Sequence, residues 1–259
     1  MPNKPLAGRG VVITRPREQA EGLASLIEAA GGRALLYPAI GIEEPADPAP
    51  ALRMIDTLES FDLAIFISPT AVRRAFAMMR RVRPWPASLP TAAVGRGSAR
   101  ELERHGVTGT LAPESGSDSE SLLALPALSA GMSGKRVVVF RGEGGRELLG
   151  DTLEARGARV QYAECYRRVR PQTDVAPLLS AWAKEAVHAV TLSSATGLEN
   201  LFAMLGEPGS KRLRETPLFA AHGRVAEAAR RHGVRTVVPA GTTDEEMVAR
   251  LVAYFSTDD

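Results

Sequence analysis

Apolar and polar positions fall into two alternating patterns along the chain. Short runs rich in β-branched residues, VVIT from Val11, then GRALLY, LAIFIS, TAAVG and the brief TLAP, are bounded by turn formers and predict strands. Between them, EQAEGLASLIEAAG places Leu23, Ile27 and Ala30 at helical spacing and stops at Gly31-Gly32. SARELERHG stops in the same way at Gly106. Short strands alternating with helices of this length require a parallel sheet covered on both faces, so the expected class is α/β.

The whole pattern occurs twice. The segment from Gly10, GVVITRPREQAEGLASLIEAAGGRALLYPAI, resembles RVVVFRGEGGRELLGDTLEARGARVQYAECY from Arg136. A spacing of 126 carries Arg15 onto Arg141, Ser68 onto Ser194, Pro113 onto Pro239 and Asp118 onto Asp244. It also carries Pro45, which ends YPAIGIEEP, onto Pro171, which ends AECYRRVRP. A register held at five places marks two copies of one unit. The proline-terminated stretches suit a chain passing between lobes, because the residue before proline is pushed towards extended geometry. Two crossings divide the chain into lobe one, residues 1–36 plus 172–259, and lobe two, residues 43–162, with linkers 37–42 and 163–171. Two sequential domains meeting near Ser129–Gly134 are the alternative that sequence leaves open.

Composition narrows the partners. Hydrophobic residues make up 44%, charged residues 24% and aromatic residues 5% of the 259 positions, the profile of a globular chain. No apolar run approaches membrane length, and no signal-peptide pattern precedes the first strand, so a cytoplasmic protein is expected. Thirty-two basic residues against 30 acidic ones leave a net charge of +2, and basic and aromatic residues are not interleaved, which argues against nucleic acid. The run Met78-Met79-Arg80-Arg81-Val82-Arg83 reads as a solvated helix end. No long apolar face is left over, which favours a monomer. Cys165 and the histidines His105, His188, His222 and His232 lack metal-ligand spacing, so no metal is expected.

In open parallel sheets, ligands bind beyond the carboxyl ends of the strands, where helix N-termini offer free N–H groups. Those places hold Thr14-Arg15-Pro16, Ser68-Pro69-Thr70, the Arg141-Gly142-Glu143-Gly144-Gly145 turn and Ser193-Ser194-Ala195-Thr196-Gly197. Any one of them reads as a helix cap; their recurrence points to a small molecule with many negative groups. His222 stands at a strand end where the first copy has Val94. Gly95-x-Gly97 begins a dinucleotide fingerprint but meets Arg100 where Gly or Ala is wanted, and FRGEGGRE lacks the Lys-Ser/Thr ending of a P-loop. No nucleophile elbow occurs either.

VVITRPREQAEGLASLIEAAGG, GKRVVVFRGEGGRELLGDTLEARGARVQYAECYRR, TLSSATGLENLF and AAHGRVAEAARRHG with its later Asp-Glu-Glu helix together resemble the uroporphyrinogen-III synthase family over essentially the entire chain. The resemblance implies two α/β lobes, each with a parallel sheet flanked by helices, joined by a two-stranded linker, with the site in the intervening cleft. It also implies a cofactor-free cyclisation of hydroxymethylbilane to uroporphyrinogen III, with inversion of the last ring and loss of water. Tyr166 would help the hydroxyl depart. Substrate contacts would come from Thr14, Arg15, Ser68, Arg141, Gly142, Ser194, Ala195, Thr196, Gly197, His222, Gly223 and Arg224, of which His222-Gly223-Arg224 departs from the Gly-Pro-Thr form of some members. Hydroxymethylbilane would be the sole small-molecule partner, passed on through transient contact with the preceding pathway enzyme. A non-catalytic anion clamp or regulatory protein and a dinucleotide-dependent oxidoreductase are the competing classes.

Overall fold

A computed structural model describes residues 4–256. In chain order the first sequence copy forms β1 (Gly10–Ile13), α1 (Glu21–Ala29), β2 (Arg33–Leu36), β3 (Gly41–Glu43), α2 (Ala49–Asp56), β4 (Leu63–Phe66), α3 (Pro69–Met79), β5 (Thr91–Ala93), α4 (Arg96–Arg104), α5 (Ser119–Leu123) and α6 (Pro126–Ser129). The second copy forms β6 (Arg136–Gly142), α7 (Leu148–Ala155), β7 (Arg159–Val169), α8 (Ala176–Ala183), β8 (Ala189–Leu192), α9 (Ala195–Glu215), β9 (Leu218–Ala220), α10 (Gly223–Arg231), β10 (Val237–Pro239) and α11 (Asp244–Phe255).

Two sheets result, one ordered β10-β9-β8-β1-β2 and the other β3-β7-β6-β4-β5. The chain divides into two compact units: one takes the chain up to Gly41 and from Val169 onwards, and the other takes Ile42–Arg168. Each sheet therefore mixes strands of both sequence copies. Val11 stands opposite Ala189 in the β1–β8 pair, and Val137 stands opposite Leu63 in the β6–β4 pair, which is the same register 126 residues on. Gly10 opposite Arg33 and Arg136 opposite Arg159 repeat the correspondence.

Side chains alternate across each strand, so both faces of each sheet are apolar and both are covered. In the first unit Val12 packs with Trp182, Leu198 and Val225, while Val11 and Ile13 pack with Leu23, Ile27 and Leu251. In the second, Val138 and Phe140 pack with Ile55, Val72 and Phe76, and Val137 and Val139 with Leu122, Leu149 and Leu153. Gly31 and Gly106, the expected helix stops, take φ of 89° and 82°.

Two elements differ from expectation. TLAP of the first copy makes one bridge, Leu111 with Ala92, where the second copy has β10. Most of 163–171 is strand: β7 runs to Val169 and pairs with β6 as far as Tyr166, with β3 along its other edge. A Pro-terminated stretch can be a strand for most of its length, because proline breaks the ladder only at its own position.

Candidate functional site

In the first unit the expected residues lie at the carboxyl ends of β1, β8 and β9, which are neighbours or one strand apart in the sheet. Thr14 is buried, and its hydroxyl donates to the Thr191 carbonyl at 2.8 Å, stitching β1 to β8. The Arg15 guanidinium pairs with Asp244 at the start of α11. Ser194 caps α9, its hydroxyl accepting from the Gly197 N–H at 3.0 Å, with Ala195 and Thr196 exposed on the first turn and Gly197 buried beneath. His222 occupies the N-cap of α10 without a side-chain cap bond, and His222, Gly223 and Arg224 are all exposed. The first N–H groups of α9 and α10 have no intrahelical acceptor, so each of these ends presents donors.

In the second unit Arg141 is only 8% exposed. Its Nε and Nη2 donate to Glu164 Oε1 at 3.2 and 3.0 Å, Nη1 reaches the Gly145 carbonyl at 3.5 Å, and the guanidinium lies 3.7 Å from the centre of the Tyr162 ring. These contacts hold the RGEGG turn against β7. The equivalent pair of the first unit has no copy here, because Asp118 instead caps α5 by accepting from the Ser121 N–H at 2.8 Å. The Ser121 hydroxyl, with that N–H, draws the Asp118 carboxyl below its ordinary value.

Tyr166 is 1% exposed and packs among Phe66, Val72, Phe76 and Phe140. The register shifts between Arg141 and Gly142, with Cys165 the extra residue on β7; this sets Gly142 opposite Tyr166, and the Glu143 N–H donates to the Tyr166 carbonyl at 2.8 Å. A Cβ on Gly142 would stand 2.6 Å from the Tyr166 ring, so the absence of a side chain there is what admits the phenol. The hydroxyl lies 3.5 Å from Ser68 Oγ and 3.4 Å from Arg168 Nη2. Ser68 also caps α3, its Oγ accepting from the Ala71 N–H at 3.0 Å. Next to Tyr166, burial pushes the Cys165 thiol well up and keeps it in its neutral form.

The sequence model of uroporphyrinogen-III synthase HemD matches residues 21–249. The chain belongs to the uroporphyrinogen-III synthase family. The Salmonella typhimurium uroporphyrinogen-III synthase is 33% identical over 246 residues, covering 93% of this chain and 99% of that protein. Crystal structures of uroporphyrinogen III synthases share the fold: a mutant from Thermus thermophilus (TM-score 0.57, 22% identity, 97% of this chain and 100% of that one) and the Helicobacter pylori protein (TM-score 0.59, 14% identity, 95% and 99%).

Within this uroporphyrinogen-III synthase family chain, the second unit brings Tyr166, Ser68 and Gly142 into contact, while Arg141 turns inward to its own neighbours. Sequence reasoning missed Arg168 and the partners Glu164 and Asp244. Arg168 carried a usable signal, since residues two apart on a strand point to one face. Asp244 stood out only as the repeat of Asp118, with nothing to show that it pairs with Arg15, and Glu164 carried no signal, being fixed by pairing within its sheet. Asn200 was also missed; its amide donates to the Ala39 carbonyl at 2.9 Å, tying α9 to the segment after β2.

Proposed function

We infer that the chain carries out its family's reaction, the cyclisation of hydroxymethylbilane to uroporphyrinogen III, with Tyr166 giving a proton to the departing hydroxyl. The observation that carries this reading is the Tyr166 phenol: its ring is seated over Gly142, and its hydroxyl meets Ser68 and the exposed Arg168 at the margin of an apolar core. A tyrosine side chain carries a phenolic O–H that can donate. In the step proposed, the C–O bond of the hydroxymethyl group breaks with both electrons on oxygen, the phenol proton joins that oxygen, and water leaves. The pyrrole nitrogen's pair makes good the deficit at carbon as an azafulvenium. Attack by the last ring at its substituted carbon returns the first ring to a neutral pyrrole, reopening and reclosure invert the last ring, and the proton lost from the α-carbon of that last ring as it regains its pyrrole form returns to the phenolate.

Uncatalysed closure gives the unrearranged isomer, so holding a flexible chain in one pose is the larger part of catalysis. That task falls to turn amides at Ser68 and Gly142 in the second unit, and at Ser194–Gly197 and His222–Arg224 in the first, which meet the substrate carboxylates. Thr14, Arg15 and Arg141 act through backbone and loop shape, since their side chains are engaged within the protein. The reaction takes place in the cytoplasm, with the substrate handed over in transient contact with the enzyme that makes it. Incubating the purified protein with hydroxymethylbilane and separating the isomers tests the reading. Type III product without added cofactor is expected; type I alone overturns it. Tyr166→Phe is expected to lower kcat about 100-fold, the low end of what proton transfer contributes, with KM little changed.

A further inference from the structure

We propose that Arg168 is a positioning residue for Tyr166, fixing the direction of its hydroxyl hydrogen and holding the phenolate left after proton transfer; the proposal rests on the proton-donor role given to Tyr166 above. Guanidinium is a donor with no acceptor atom. With Arg168 Nη2 at 3.4 Å from the Tyr166 oxygen, the arginine takes one lone pair, and the hydroxyl hydrogen must point elsewhere. Two directions remain, Ser68 Oγ at 3.5 Å or a guest oxygen. The Ser68 contact is long, and that oxygen already accepts from the Ala71 N–H, so a guest oxygen competes for the hydrogen on favourable terms. Catalytic hydrogen bonds of an empty site are commonly long and tighten in the complex.

The surrounding arginines sharpen the assignment. Arg167 is held by Glu43 at 2.9 Å and Arg141 by Glu164 at 3.0 Å. Among the described residues no carboxylate pairs with Arg168; its contacts are the Tyr166 hydroxyl and, at 5.7 Å, the face of the same ring. Its charge is thus not spent on an acid of the protein. When the C–O bond breaks and the phenol proton joins the leaving oxygen, the negative charge created on Tyr166 forms beside a cation already in place.

A kcat cycle tests this. Arg168→Met is expected to lower kcat about tenfold with KM within twofold, and Arg168→Lys to recover part of the loss. In a Tyr166→Phe background the same Arg168→Met change is expected to cost less than twofold, since the atom it acts on is gone. Arg168 is exposed, so each Arg168 variant should melt close to its own parent. An equal kcat loss in both backgrounds, or a loss confined to KM, overturns the proposal and makes Arg168 a direct substrate contact. If Tyr166→Phe slows turnover while Arg168→Met does nothing, only this inference falls. If Tyr166→Phe leaves kcat intact, the proton-donor role falls and takes this inference with it.

Discussion

At the scale of single residues Gly142 is tightly constrained. Its missing Cβ would sit 2.6 Å from a Tyr166 ring that is itself packed among aromatic side chains and has nowhere to go. Gly142→Ala is expected to cost about 1–3 kcal/mol by overpacking and to lower kcat tenfold or more by moving the phenol; urea unfolding and steady-state kinetics read the two effects separately. Ser194→Ala should behave in the opposite way. It removes a cap worth about 1 kcal/mol but leaves the turn amides in place, so the melting temperature falls and activity barely changes. A third residue contributes to pH behaviour. Burial, helped by nearby Arg9, lowers the His188 pKa, and the neutral ring accepts the Gly10 N–H through Nδ1 at 3.0 Å. The unfolded imidazole titrates near pH 6.5 and the folded one lower, so in that window the unfolded state binds more protons and stability falls as pH drops below about 6.5. His188→Asn keeps an acceptor without the titration and should reduce the fall in melting temperature between about pH 6.5 and 5, the rest coming from His105, whose pKa burial also lowers. Tyr166, Ser68 and Gly142 were legible from the chain as candidates; that Arg141 is a strut for its loop was not, because Glu164 and Tyr162 reach it from the neighbouring strand.

Elements were more legible than contacts. β1, β4, β5 and their counterparts follow the β-branched runs, since a strand buried on both faces must be apolar throughout, and the helices end at glycines with positive φ. TLAP was legible only as a pattern. Its first copy forms a single bridge while its second forms β10, and four residues of near-identical type carry too little information to separate those outcomes. α9 shows what helical periodicity hides. Gly206 within it has φ 60° and ψ −169°, a conformation reserved for glycine, and Pro208 comes two residues later, so the element is two helices meeting at a bend. A Cβ at Gly206 would meet only the edge of Pro208 at 4.0 Å, leaving backbone strain as the whole penalty. Gly206→Ala should therefore cost about 1–3 kcal/mol in urea or thermal unfolding, with kcat unchanged. A loss below about 0.5 kcal/mol would mean the bend can relax into continuous helix.

At the scale of the whole molecule, the repeat of the sequence and the division of the structure do not coincide. The spacing of 126 is equally satisfied whether each copy folds upon itself or the copies exchange strands, because β1 and β6 have the same apolar character and so do their partners β8 and β4. Nothing in the repeat could choose between them; the Pro45 and Pro171 stretches, where the chain passes from one unit to the other, were the hint within the chain itself, and the family resemblance pointed the same way. The exchange makes a prediction that the sequential division reverses. Residues 42–168 carry a complete five-stranded sheet and the apolar clusters on both its faces, so this fragment alone should give dispersed amide resonances and a cooperative melt. Residues 1–131 hold β1 without β8 and β4 without β6, each stripped of a central neighbour, and should show no cooperative transition until residues 132–259 are supplied in trans. A cooperative melt of 1–131 by itself, with 42–168 unfolded, would mean that each copy closes its own sheet, and the strand order described here would be wrong.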